Sequence, residues 1–450
     1  MTGGGGMTGG ANDGAATAFA GVTPTESPAK APAMRVAIVG AGYSGTIAAV
    51  EIARAAPGAG IVLIEKSGRF AAGAAYGTTS PGHLLNVRAR NMSALAGDPG
   101  HFAAWAAGEG HGPEDYVPRR DFRRYLAGLL DGAAGVERVT GEAVAVEDEA
   151  VLLGSGERIA CDAIVLAGGN FPSTLPAALG RGAINDPWGP EGSAAVARAA
   201  SRGGELLLVG TGLTMVDMAV SLEEAGFTGR ITATSRRGLV PRGHVSPAAA
   251  PLEWAPPARL AELVRAVRAR SPWRASVDGL RPHSIELWRG LGEAEQRRFL
   301  RHLRPWWDVH RHRIAPAVAA RIEKMRESGR LEVAAGRIVG VEGEEVTIAR
   351  RGGGELRRRF DAVINCTGPQ GDINRVEDPL IAGLLASGRA RPDRLGLGLE
   401  VGADSRVAGS GPSPALYAVG PLSKGAFWEI VAVPDIRGQV AGVAKAIAAL

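Results

Sequence analysis

Four residues carry the clearest chemical meaning: Gly40-x-Gly42-x-x-Gly45 and, about twenty positions on, Glu65. This spacing belongs to a turn that seats a diphosphate. Gly40 permits the tight turn, Gly42 lets the backbone approach a pyrophosphate, and Gly45 lets the following helix pack against its strand. The start of that helix offers unpaired N–H groups to the phosphates, and Glu65 can accept hydrogen bonds from ribose hydroxyls. A second fingerprint, Gly210-x-Gly212-x-x-Met215, has Met where the third glycine stands, a bulkier residue expected to push its helix outward. Further on come Ser235, Arg236 and Arg237, where an NAD-specific site would usually place an acid. Two guanidinium groups there suit the 2′-phosphate of NADPH. NADH stays possible, and a solvated arginine pair at a strand end is the plainer alternative.

Each fingerprint has the elements that would position it. RVAIVG reads as a buried strand, TIAAVEIARAA as a helix and IVLIE as the next strand; GELLLVG, TMVDMAVSLEEAG and RITATS repeat the order. DAIVLAGG is a third strand ending in glycines, and FDAVINCTG echoes it. The run LEVAAGRIVGVEGEEVTIAR is strand-rich, and PDIRGQVAGVAKAIAAL reads as a closing amphipathic helix. Strands alternating with helices predict an α/β fold with parallel sheets. Two Rossmann-like dinucleotide-binding domains are expected, the second inserted into the first, with a charged helical segment over 257–328. The Gly/Ala/Thr/Pro-rich stretch 1–33 lacks periodicity and is expected to be a disordered tail.

Composition excludes several classes. The net charge of +5 is spread along the chain among acids, with no nucleic-acid recognition module. No apolar run of about 20 residues exists to span a membrane, and no secretory signal is expected, since the first turns lack a basic stretch followed by a long apolar one. The two cysteines, Cys161 and Cys366, lie far apart without CxxC spacing, as expected of reduced thiols in a cytoplasmic protein. His310 and His312 are two apart, which aims them at different sides of a helix, and no metal is expected. Trp306 and Trp307 are expected to pack their helix onto a core. Neither a G-x-S-x-G elbow nor a phosphate-binding G-x-x-x-x-G-K loop is present. The run from Asn86 through Arg88, Met92 and Ser93 has no clean period; it reads equally as a loop around a cofactor or as a surface loop.

Taken together, VGAGYSGT, GAAYG with HLLNVRARNMS, YVPRRDFRRYL, VGTGLTMVD, SRRGLVPRGH and GPLSKGAFWEIVAVPDIRGQ resemble bacterial FAD/NAD(P)-binding proteins related to FAD-dependent urate hydroxylase. More distantly the chain is similar to flavin-dependent N-hydroxylating monooxygenases. The resemblance covers nearly everything from Met34 onward. It implies that Gly40, Gly42, Tyr43, Ser44, Gly45, Glu65 and Lys66 hold the FAD adenosine and pyrophosphate. It implies that Asn86, Arg88, Met92 and Ser93 lie along the flavin, and that Gly210, Gly212, Leu213 and Thr214 meet the nicotinamide nucleotide. Gly168 and Gly420 are counted with the cofactor contacts. After Gly420 the chain departs from the pattern: Pro421-Leu422 stands where an Asp would bind the ribityl chain. Pro434 is expected as the first residue of the last helix, whose N-terminus would face the flavin. The implied domains are an FAD domain over 34–200 and 360–450 and an NAD(P) domain over 201–359.

The function expected is that of an FAD- and NAD(P)H-dependent monooxygenase, hydroxylating a small organic substrate with O2 through a flavin hydroperoxide. A reductase passing electrons to a quinone or another acceptor is the alternative, and a nucleotide-binding protein without turnover is a third. No catalytic side chain, substrate or oligomeric state can be named from the residues.

Overall fold

The computed structural model describes residues 1–3, 34–180, 182–409 and 414–450. The chain divides into two units, Met1–Pro32 and Ala33–Leu450. Among the described residues every strand and helix lies in the second unit; the expectation for the tail falls outside the described residues.

Three buried runs build the first sheet. In β1 (Arg35–Val39), β2 (Gly60–Glu65) and β7 (Ala163–Leu166) the interior residues are buried on both faces, so they read as unbroken apolar runs rather than an alternation. With β3 (Val136–Thr140) and β14 (Ala415–Ala418) they pair in the order β14-β7-β1-β2-β3, every pair parallel. Helices Tyr43–Ala55 and Val433–Ala448 pack together on this sheet, burying Ile47, Ile52, Val440 and Ile447. A small antiparallel sheet of β4 (Ala143–Glu147), β5 (Ala150–Leu153) and β6 (Arg158–Ala160) leads into β7.

Between β7 and β14 in sequence lies the second sheet. Its strands are β8 (Glu205–Val209), β9 (Arg230–Ser235), β10 (Leu331–Glu342), β11 (Glu345–Arg350), β12 (Glu355–Arg359) and β13 (Ala362–Asn365). They order as β12-β11-β10-β9-β8-β13, parallel from β10 to β13 and antiparallel from β10 out to β12. One dinucleotide-type sheet is therefore inserted into another.

The boundary expected at residue 360 needs correction. The strand FDAVINCTG echoes DAIVLAGG, yet β13 pairs with β8 of the second sheet. The echo marks equivalent places in two sheets. Asp162 N–H donates to the Arg35 carbonyl at 2.8 Å and its Oδ2 accepts from the Arg35 N–H at 2.7 Å; Asp361 makes the same pair with Glu205 at 2.8 and 2.7 Å. At the other boundary, helix Pro190–Arg202 buries Ala195 and Ala199 in the core of the second sheet, so this domain begins before residue 201.

The helical segment divides as well. Helix Pro316–Glu327 buries Val318, Ile322 and Met325 in the second core as the crossover into β10. The helices from Leu260 to Arg311 form a separate cluster around Trp288, which stacks on Trp428 at 4.9 Å between ring centroids. Trp307 joins that cluster and donates its indole N–H to Glu429 at 2.8 Å, whereas Trp306 is 45% exposed. Among the described residues no helix is long and apolar enough to cross a membrane.

Candidate functional site

Gly40 leaves β1 with φ of +97°, and a Cβ there would stand 2.6 Å from the Ala167 carbonyl oxygen. The turn is thus pressed against the strand that returns beside it, a contact that only glycine allows. A Cβ on Gly45 would collide with the Gly40 carbonyl oxygen, which is the close helix–strand packing the motif requires. Helix Tyr43–Ala55 begins at Gly42 with no side-chain cap and no acid in its first turn. Thr46 N–H reaches the Gly42 carbonyl at 3.0 Å, but the N–H groups of Tyr43, Ser44 and Gly45 find no acceptor among the described residues. Uncapped donors at a helix start attract an anion. Gly42 meets only backbone, Gly73 Cα at 3.5 Å from where its Cβ would be. A diphosphate-bearing cofactor therefore fits what this turn presents.

Around the turn, Glu65 closes β2, and its carboxylate accepts from Ala41 N–H at 3.0 Å and from the Ser67 hydroxyl at 2.7 Å. Lys66 is exposed, its ammonium 3.8 Å from Glu142. The buried Tyr43 hydroxyl donates to the Val433 carbonyl at 3.2 Å, tying the turn to the last helix; burial raises its pKa well above the ordinary phenol value. Gly420, with φ of +67°, would place a Cβ 2.6 Å from Ser44 Oγ, and Gly168 faces Leu422. Gly40, Ser44, Gly168 and Gly420 thus come together. The last helix starts at Val433, so Pro434 is its second residue, one later than expected.

The second turn repeats the first. Gly210 has φ of +119°, and a Cβ would collide with the Cys366 carbonyl at the end of β13, as Gly40 meets Ala167 at the end of β7. Gly40 N–H donates to Ile64 O at 2.9 Å and Gly210 N–H to Thr234 O at 2.7 Å, the same bond in each unit. Helix Leu213–Glu224 starts uncapped at Gly212, where a Cβ would meet nothing within 4 Å. The leading N–H groups of Leu213 and Thr214 have no acceptor among the described residues. Met215 is fully buried in the second core, so the larger residue is packed there. Ser235 ends β9, its hydroxyl 2.8 Å from Thr211 Oγ1 of the turn. Arg236 and Arg237 come directly after, with no ion pair or hydrogen bond to any described residue.

The loop from Asn86 to Ser93 is bound internally. Asn86 O accepts from His244, and Arg88 bonds the Val245 carbonyl at 3.0 Å and pairs with Glu114 at 3.2 Å. Met92 is buried, and the buried Ser93 hydroxyl donates to carbonyls of the same loop. Arg437 of the last helix donates to Ser93 O at 2.8 Å. These residues hold the loop against the last helix and the second domain. No group of three potential metal ligands occurs among the described residues.

Two features escaped the sequence. Gly73, with φ of +57°, lies against Gly42; its place in GAAYG was legible only as part of a resemblance. The second is a latch between the two cores. Arg119 grips Asp217 of helix Leu213–Glu224 in two bonds at 2.7 and 3.1 Å. Beside it the buried His83 lies 2.9 Å from the Asp217 carbonyl and 3.0 Å from Ser221 Oγ. Arg119 and Asp217 are 98 positions apart, a separation that leaves no local signal of such pairing.

Residues 37–171 match a family model described as FAD-NAD(P)-binding. No curated protein matches the sequence. Among solved structures the fold is similar to ornithine hydroxylase from Pseudomonas aeruginosa (14% identity, TM-score 0.64) and to L-lysine 6-monooxygenase from Pseudomonas syringae (15%, 0.64). It is also similar to the ornithine N-hydroxylase of Kutzneria sp. 744, solved with reduced FAD, NADP+ and L-ornithine (15%, 0.65). Each comparison covers 92% of this chain and 99% of the other.

Proposed function

We propose that this chain is an FAD-dependent monooxygenase, driven by NADPH, that adds one oxygen atom of O2 to a small organic substrate. The observation that carries the reading is the repeated turn: two uncapped helix starts, each behind a glycine pressed on a returning strand, in one body. FAD, when bound, would supply hydride acceptance and the reaction with O2. The protein's part is to bind, orient and exclude water.

In this reading Gly40, Gly42, Tyr43, Ser44, Gly45, Glu65 and Lys66 hold FAD, with Gly168 and Gly420 beside the turn and the loop Asn86, Arg88, Met92 and Ser93 as its wall. Gly210, Gly212, Leu213 and Thr214 receive NADPH, and Ser235, Arg236 and Arg237 hold its 2′-phosphate. The solved hydroxylases act on ornithine and lysine; a small substrate is carried over from them, but not which one. The thiols count against a disulfide-reductase branch: burial drives the pKa of Cys161 up to about 11 and of Cys366 up to about 12. Neither thiol is a ready nucleophile. We place the enzyme in the cytoplasm.

Stopped-flow absorbance of the purified protein tests the proposal. Bound FAD should bleach on mixing with NADPH and recover with O2 consumption. Protein that takes up no FAD, or FAD that NADPH leaves oxidised, would end the reading. Rapid turnover with artificial acceptors and negligible O2 use would replace it with the reductase.

A further inference from the structure

An open groove of about 650 Å³ is lined by Thr78 and Thr79, from the loop after Gly77, and by Arg120, Asp121, Arg123 and Arg124 of helix Arg119–Asp131. That volume suits a small molecule. The lining holds no aromatic ring among the described residues, so nothing there stacks a nucleotide base.

Three cations and one carboxylate face the groove. Asp121 is shared by Arg124 at 3.5 Å and Arg120 at 3.9 Å, with His111 at 4.0 Å. Arg124 is also held by Glu109 in two bonds at 2.9 and 3.1 Å. Arg123 is half-buried, yet it makes no ion pair or hydrogen bond with any described residue, and neither does the Thr79 hydroxyl. Four arginines stand in the first six residues of this helix, where positive charge opposes the helix dipole. Only Arg119 and Arg124 have a carboxylate within hydrogen-bond reach. An anion in the groove would offset the repulsion among the others, and guanidinium forks suit an oxyanion.

The groove backs onto the latch between the two cores. Thr78 Oγ1 lies 2.7 Å from His83 Nδ1, and the other nitrogen of that ring lies 2.9 Å from the Asp217 carbonyl. Arg120 directly follows Arg119, which grips the Asp217 carboxylate. Two short paths thus run from the groove to the helix that opens at Gly212.

We propose that this groove is an effector site for a small, multiply charged oxyanion, a phosphate or a polycarboxylate, held by Arg123, Arg120 and the Thr79 hydroxyl. Its occupant fixes loop and helix together, steadies the latch on Asp217, and tightens nucleotide binding at the start of helix Leu213–Glu224. The anion site stands on its own; the effect on the nucleotide rests on the NADPH reading above.

Calorimetric titration of the FAD-loaded protein with citrate and with inorganic phosphate, at one ionic strength set with KCl, tests this. The tighter of the two identifies the class. Arg123→Ala should weaken that anion about tenfold, the worth of one charge-assisted hydrogen bond, and Arg123→Lys should recover part of the loss. Thermal melts show both variants folded. The same anion should raise NADP+ affinity about fivefold in the wild type. Thr78→Val, which removes the contact to His83, should bind the anion as before and lose that gain. No binding of either anion would overturn the site, and so would binding that Arg123→Ala leaves unchanged, because the anion would then sit at a nucleotide turn. An NADP+ affinity indifferent to the bound anion would overturn the effector role. A chain that takes no NADP+ at all would remove that role together with the NADPH reading and keep the anion site.

Discussion

Replacing Arg236 and Arg237 by Ala separates the two nucleotides that the second turn could take. Both side chains come directly after β9, beside a turn fixed by the 2.8 Å contact between Ser235 and Thr211. Neither guanidinium is committed elsewhere, so the substitutions break no contact within the fold, and stability should change by less than about 0.5 kcal/mol. A hydrogen bond to a charged group contributes about 1.5–3 kcal/mol. Arg236 is exposed and Arg237 half-buried, so each belongs at the low end of that range. A loss of about 1.5 kcal/mol is roughly tenfold in Kd. The single variants should each weaken NADP+ about tenfold, and the double variant by less than the product, since both act on one phosphate. NAD+ has no 2′-phosphate and should bind as before.

Titration calorimetry with NADP+ and NAD+, repeated at low and high salt, reads this directly. The wild-type preference for NADP+ should shrink as salt rises, because the arginines are solvent-facing and screened. Parallel losses for the two nucleotides would mean that the arginines act on the shared pyrophosphate or on the fold. An unchanged NADP+ affinity would mean that they are a solvated pair and nothing more.

Other substitutions divide fold from site. Gly45→Ala would drive a methyl group into the Gly40 carbonyl and should give a chain that no longer retains FAD, seen as loss of flavin absorbance after gel filtration. Gly212→Ala meets open space at φ of −86°; it should cost less than about 1 kcal/mol in a denaturant melt yet weaken NADP+ measurably. Met215→Gly restores the fingerprint on paper, but it empties a fully buried position and should destabilise by about 2–5 kcal/mol. Asp217→Ala strands Arg119 at a largely buried pair and should cost about 3–5 kcal/mol, read as a shifted melting midpoint. Lys424 supplies a pH signature: its pKa is about 8 in the fold against 10.5 ordinarily. Between these values the unfolded chain holds the proton that the folded chain has released, so stability rises with pH across the window. Relative to Lys424→Gln, the wild type should gain up to about 3 kcal/mol from below pH 8 to pH 10.5. A constant difference between the two melts over that range would refute it.

The range of the forces involved decides which features the residues disclosed and which they hid. Gly40, Gly42 and Gly45 are legible because a turn, a strand end and a helix start are all local. The inserted order of the sheets rests, in the sequence, on the likeness of DAIVLAGG to DAVINCTG, and that same likeness misplaces β13. DAIVLAGG and DAVINCTG look alike because each returning strand meets the same demands: an Asp to close the neighbouring strand's first N–H, and a carbonyl at its end for a glycine to press on. Likeness of sequence therefore identified the role, whereas membership in a sheet depends on which glycine the strand end must meet. The antiparallel strands β4–β6 were hidden for another reason. They are short, β6 only three residues long, and β4 and β6 each carry a single charge, at one end, so neither shows a clear strand alternation.

The latch joining Arg119 to Asp217 and His83 to Ser221 bears on how the two turns work together. Asp217 lies on the helix that opens at Gly212, two turns of chain or less from the N–H groups that would meet a phosphate. Arg119 opens the helix Arg119–Asp131 of the first domain, and its backbone N–H is held by the His83 carbonyl at 2.8 Å. Helix Leu213–Glu224 is thus fastened to the other domain near its N-terminal end by a bidentate ion pair and a satisfied imidazole. Domains joined in this way resist a swing of one sheet past the other, because the swing would leave Asp217 and Arg119 largely buried and unpaired. In the proposed monooxygenase the nicotinamide would have to reach across a fixed gap, and the loop residues Asn86 and Arg88, bonded to His244 and Val245 of the second domain, would help to set its width.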